Sequence, residues 1–95
     1  MPNLIVIARI KAQKGDEEIV KKGLLGLIAP TLEEEGCIKY ELNQDSNEPG
    51  LFVFIEEWES MEHLQKHSNS QHIKAFGAAM KGKIESRELQ FLEKI

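Results

Sequence analysis

The chain has 95 residues, a formal net charge of -4 and one cysteine, Cys37. That length fits one small domain, residues 1–95, near the size at which a single core is just adequate and a dimer interface helps. Interspersed lysines and glutamates leave no basic stripe for a phosphate backbone, so no nucleic-acid partner is expected. One cysteine excludes an internal disulfide and a thiolate zinc cage, and it fits a reduced, cytoplasmic setting.

The first apolar segment, Asn3 to Ala12, is only about strand length and lacks a basic leader and a small-residue cleavage site, so neither a signal peptide nor a membrane span is expected. Leu4, Val6, Ala8 and Ile10 alternate with Ile5, Ile7 and Arg9, which predicts a central strand apolar on both faces. Gly15 and Asp16 supply a turn and a cap, and Glu17 and Glu18 suit the positive end of a helix dipole. A helical stripe follows at Ile19, Val20, Leu24, Leu27 and Ile28. Pro30 lacks the backbone donor a helix interior needs, so the helix bends near Leu27 or restarts with Pro30 in a first turn. Gly36 ends it in a left-handed conformation.

Cys37 to Asp45 reads as a second strand, with Ile38, Tyr40 and Leu42 on one side. The turn cluster Asp45 to Gly50 joins it to a third strand in an antiparallel hairpin. In that strand, Leu51 to Trp58, alternation places Phe52, Phe54, Glu56 and Trp58 on one face and Leu51, Val53, Ile55 and Glu57 on the other. Ser60 caps a second helix, and Ser68-Asn69-Ser70 interrupts it before a continuation through Ile73, Phe76, Ala79 and Met80. Lys83 to Lys94 alternates again and predicts a half-exposed last strand.

The order strand, helix, strand, strand, helix, strand predicts an α+β fold of ferredoxin-like βαββαβ type: a four-stranded antiparallel sheet with two helices on one face. The uncovered sheet face would leave a large apolar patch in water, so a homodimer packed sheet to sheet is expected.

All three histidines, His63, His67 and His72, follow the third strand within a few turns. His63 and His67 are four apart on a predicted helix and share a face, but a metal needs more than two ligands. Glu62 precedes His63, unlike the zinc-protease signature, and no further Cys or His outside the segment could complete a site, so no metal is expected.

Gly36 to Leu42, Phe52, the run Glu56-Glu57-Trp58-Glu59-Ser60, and then Leu64, His67, Ser70 and His72 resemble the antibiotic biosynthesis monooxygenase family over nearly the whole chain. The resemblance implies a dimeric ferredoxin-like α/β barrel. It also implies one of the family's activities: oxidation of quinols or polyphenols by dioxygen without a cofactor, haem degradation, or isomerisation of the phosphorylated autoinducer-2 signal. The haem-degrading branch uses an asparagine on the first strand where this chain has Ala8 or Arg9, which speaks against haem.

A cofactor-free quinol oxidase needs a base and a dry pocket, because deprotonation makes the substrate reducing enough for triplet dioxygen. Histidine is the natural base near neutral pH. His67 is the first candidate and His72 the second, with Trp58 and Phe54 as an aromatic wall and Tyr40 and Glu56 as polar groups at the pocket. Glu56 reads as structural, bonding donors around the helix start or orienting a histidine; Trp58 of itself is more often core. The expected partners are a small quinol-like aromatic, dioxygen and a second copy of the chain. One rival is an isomerase or degradative enzyme for a small phosphorylated carbonyl compound, which requires Arg9, Lys11 or Arg87 to point into the pocket. The other is a non-catalytic small-molecule-binding dimer.

Overall fold

In the computed structural model, which describes residues 3–95, the chain runs β1 (Leu4–Ala12), α1 (Glu17–Leu25), α2 (Ile28–Leu32), β2 (Cys37–Gln44), β3 (Leu51–Trp58), α3 (Met61–Ser68), α4 (Gln71–Ala79) and β4 (Ile84–Glu93). The four strands form one antiparallel sheet in the order β2-β3-β1-β4. This is the ferredoxin-like βαββαβ arrangement, with each helical layer broken into two short pieces. No helix among the described residues is long and apolar enough to cross a membrane.

Pairing on β1 sets the inner face of the sheet. Val6 lies opposite Glu56 and Phe91, Ala8 opposite Phe54 and Leu89, and Ile10 opposite Phe52 and Arg87. On β2, Tyr40 lies opposite Glu56 and Leu42 opposite Phe54. Side chains alternate along a strand, so these residues all face the helices. Val6, Ala8, Ile10, Phe52, Phe54 and Trp58 are buried there with Val20, Leu24 and Leu27 from the first helical layer and Leu64, Phe76 and Met80 from the second. The alternation expected in β1 and β3 holds along both strands. The opposite face carries Ile5, Ile7, Leu51, Val53 and Ile55, each half-buried.

Three local features differ from expectation for identifiable reasons. A register shift between Cys37 and Lys39 takes Ile38 out of step with Tyr40 and leaves it 47% exposed. Ile19 is exposed because the buried stripe of α1 runs through Val20 and Leu24 and on to Leu27. Asp16 occupies the cap position of α1 without a side-chain cap bond; Glu17 Oε1 accepts from the Gly15 backbone N–H at 2.9 Å instead. The Pro30 expectation resolves as a restart, with α1 ending at Leu25 and Pro30 lying in the first turn of α2.

Gly36 has φ +84, and a side chain there would overlap the imidazole of His63. Ser60 and Ser70 cap α3 and α4, accepting from the backbone N–H groups of His63 and Ile73. The β4 residues Leu89 and Phe91 point to the helix side yet are 56% and 50% exposed, because the helices cover β1, β2 and β3 and stop short of the β4 edge.

Candidate active site

A cavity of about 200 Å³ opens between the sheet and the helices. Val6, Ala8, Ile10 and Phe54 form its floor; Leu24, Leu64, Ile73 and Phe76 form its roof. The polar groups on its wall are Tyr40, Glu56, His67, Ser68 and, on β4, Arg87. An apolar hollow with a few convergent polar groups is the usual form of a small-molecule site.

His67 sits in the last turn of α3 and is 6% exposed. Its Nδ1 lies 2.7 Å from Glu34 Oε2. A carboxylate offers only acceptor lone pairs, so Nδ1 carries the hydrogen and donates it. Burial pushes the pKa of His67 down, opposed by the Glu34 carboxylate. The ring is therefore neutral near pH 7 and Nε2 keeps its lone pair. The imidazole packs against Trp58, with ring centroids 4.8 Å apart, and meets Tyr40 edge-on at 5.4 Å.

Glu34 lies in the turn after α2, where its backbone N–H bonds to Thr31 and its carbonyl accepts from Cys37. Its Oε2 also lies 2.8 Å from His72 Nε2, in the first turn of α4. The Thr31 hydroxyl is 3.2 Å from the same nitrogen and that of Ser70 is 3.4 Å away. One carboxylate thus joins both candidate histidines. His72 is thereby bonded into this cluster. The third histidine, His63, turns to the Ser60 hydroxyl at 2.7 Å and to Glu35 at 3.6 Å, outside the cluster.

Glu56 accepts the Trp58 Nε1–H at Oε1, at 2.9 Å. Burial pushes its carboxyl up to about 7; the Trp58 bond opposes this and the Glu34 charge adds to it. Near neutral pH it is therefore partly protonated and can give or take a proton. Tyr40 stacks on Phe54 at 4.3 Å, and burial with the neighbouring Glu56 pushes its phenol far above the usual range. Cys37 is pushed up to about 11 by burial, so it is a poor nucleophile.

Of the residues singled out from the sequence, His67, Phe54, Glu56 and Tyr40 line the cavity. Trp58 is fully buried behind His67 and bonds Glu56, and His72 stands behind His67 on the far side of Glu34, so neither is on the wall. Glu34 and Thr31 escaped the sequence reading. Glu33, Glu34 and Glu35 are chemically identical in sequence, and only the turn before Gly36 selects the middle one. Arg87 is the one residue of the three proposed for an anion site that reaches the cavity. Arg9 lies on the opposite sheet face and bonds Gln90, while Lys11 pairs with Glu48 and Glu85 at 3.3 and 3.4 Å.

Residues 3–79 match the model of the family described as antibiotic biosynthesis monooxygenase. The chain belongs to the antibiotic biosynthesis monooxygenase family. Among curated antibiotic biosynthesis monooxygenase relatives, it is 32% identical to a protein of Escherichia coli K12 called "Probable quinol monooxygenase YgiN", over 95% of this chain and 96% of that one. Among solved structures, PA3566 from Pseudomonas aeruginosa superposes with a TM-score of 0.96 at 30% identity, covering 100% of this chain and 96% of that one. A crystal structure named antibiotic biosynthesis monooxygenase gives 0.90 at 27% identity, covering 97% and 98%. The sequence match to the monooxygenase family stops at residue 79, before β4, whereas the structural likeness includes that strand.

Proposed function

We propose that this monooxygenase-family protein oxidises a quinol or polyphenol-like aromatic with dioxygen and needs no bound cofactor. The reading is carried by one observation: a buried histidine on the wall of an apolar cavity, its Nδ1 tied to Glu34. The name of the Escherichia coli relative supports the same substrate class. A cavity of roughly 150 Å³ admits benzene, so this one suits a substituted single ring or a compact bicyclic one. The ring lies against Phe54 and Tyr40 under Leu24, Leu64 and Phe76.

In this reading His67 Nε2 takes the proton of one phenolic hydroxyl. The electron-rich phenolate then reduces dioxygen by one electron, and the radical pair recombines at the ring. Loss of water gives a hydroxyquinone: quinol plus dioxygen yields hydroxyquinone plus water, so the substrate itself supplies all the electrons. Glu56, on the same wall, handles the second hydroxyl proton. A dry pocket keeps the phenolate and the radical pair away from competing proton donors. The half-buried face of Ile5, Ile7, Leu51, Val53 and Ile55 supports a homodimer packed sheet to sheet, and the reading places the protein in the cytoplasm.

The test is oxygen uptake by metal-stripped protein with a panel of reduced naphthoquinols and polyphenols, against a no-enzyme control and His67→Ala. Uptake above autoxidation that falls about a hundredfold in the variant is expected. No uptake across the panel would sink the reading.

Arg87 supports a second reading. A guanidinium on the cavity wall, with no ion-pair partner among the described residues, suits the phosphate of a small phosphorylated carbonyl compound, with His67 and Glu56 moving protons between adjacent carbons. Protection of Trp58 fluorescence by inorganic phosphate, lost in Arg87→Gln, would favour it over the quinol.

A further inference from the structure

Glu34, His67 and His72 come from three separate segments, yet their ligating atoms all lie within 4.8 Å of one another. Two imidazole nitrogens and one carboxylate oxygen form a donor set that suits Zn²⁺ and its first-row neighbours. The sequence spacing pointed to His63 and His67 as the histidine pair, but His63 is turned away to Ser60 and Glu35. The fold instead pairs His67 with His72 and adds a carboxylate as the third ligand.

We propose that Glu34 Oε2, His67 Nδ1 and His72 Nε2 form a divalent transition-metal site, and that Zn²⁺ bound there switches off the base on the cavity wall. The switching half rests on the quinol-oxidase reading; the metal site does not. Without metal, the cluster is held by two hydrogens, one on each of the two ring nitrogens that face Glu34. A metal replaces both bonds with coordination to the same atoms. Each coordinated ring then carries its hydrogen on the other nitrogen: the proton that faced Glu34 is given up and one is taken up at the far nitrogen. For His67 that other nitrogen is Nε2, which loses the lone pair it would offer a substrate hydroxyl.

An ion would draw the three ligand atoms to a more even spacing than they have without it. Metal-donor distances of about 2.0–2.2 Å place neighbouring ligand atoms roughly 3.0–3.5 Å apart in octahedral or tetrahedral sites. The present separations from Glu34 to the two rings are 2.7 and 2.8 Å and must open by a few tenths of an ångström, while the two ring nitrogens, within 4.8 Å of each other, must draw together by roughly 1 Å. Glu34 stands in a turn between α2 and β2 and His72 in the first turn of α4, which lets both move without disturbing the sheet. The hydroxyls of Thr31 and Ser70 flank His72 Nε2 and can hold a water in an open coordination position.

The probe is Co²⁺, whose visible absorption reports coordination without any enzymatic turnover. Metal-stripped protein titrated with Co²⁺ is expected to develop d–d bands that saturate at one ion per chain and vanish on adding Zn²⁺. Glu34→Gln and His72→Ala, each confirmed folded by circular dichroism, should weaken binding by more than the roughly tenfold that loss of a group merely supporting a ligand costs. His63→Ala should bind as the wild type does. Absence of saturable bands, or bands unchanged in both variants or lost in His63→Ala, overturns the site. If one variant does not fold, the other decides the matter. Stoichiometric Zn²⁺ should lower oxygen uptake about a hundredfold, with recovery on adding a chelator. Co²⁺ binding with undiminished uptake overturns the switch, and absence of uptake from any quinol sinks the oxidase reading while the Co²⁺ titration still judges the site.

Discussion

Replacing Glu56 by glutamine separates the charge of this residue from its shape. The amide oxygen still accepts the Trp58 Nε1–H, which bonds Glu56 at 2.9 Å, but the side chain no longer ionises. Glu56 is 4% exposed, and burial moves its carboxyl from 4.5 to about 7. That difference corresponds to about 3 kcal/mol between the protonated and ionised forms. Because the folded chain holds this proton more tightly than the unfolded chain, stability from this group is complete below about pH 4.5. It falls as pH rises and is gone above about pH 7. The wild type should therefore lose about 3 kcal/mol relative to Glu56→Gln between about pH 4.5 and pH 8. Urea unfolding followed by the fluorescence of Trp58, the one tryptophan, measures both proteins on the same signal. The variant should match the wild type at acid pH and exceed it in alkali, with each kcal/mol worth about 4–8 °C in Tm. Parallel stability curves across this range would refute the argument, because they would mean that Glu56 titrates as an ordinary exposed carboxylate.

Other consequences follow from packing. Gly36→Ala forces a side chain into left-handed backbone and against His63, so a loss of at least about 2 kcal/mol is expected in thermal unfolding. Trp58→Phe removes a fully buried indole and the donor to Glu56, and should cost about 2 kcal/mol in urea unfolding. His67→Ala should remain folded by circular dichroism while losing oxidation; a folded Trp58→Phe beside an unfolded His67→Ala would reverse the roles given to these residues. Val53→Lys places a charge on the half-buried outer sheet face, and light scattering should show monomers where the wild type gives the proposed sheet-to-sheet dimer.

Much of this architecture was legible because it depends on short-range periodicity. Alternation in Leu51 to Trp58 put Phe54 and Glu56 on the cavity side, and serine caps marked the breaks that bring His67 and His72 near each other. Glu34 was not legible, since its role depends on a turn packing against two helices that lie more than thirty residues away in sequence. Ile38 was misplaced because one bulged residue in β2 reverses a pattern of period two. The uncovered inner side of β4 was hidden for a similar reason: alternation tells which way Leu89 points, whereas the reach of the helices decides whether anything meets it.

That uncovered strand separates two demands that usually compete. The buried wall of the cavity cannot change cheaply, because Phe54, Glu56 and Tyr40 also hold the core together. Arg87 and Leu89 border the same cavity from an exposed strand, where substitutions typically shift stability by only about 0.5 kcal/mol. Selection can therefore exchange a cation for a neutral or acidic group at the rim, and alter which molecules fit, while His67, Glu56 and the fold stay as they are. Randomising Arg87 and Leu89 together is accordingly the most economical starting library for changing the substrate of this protein.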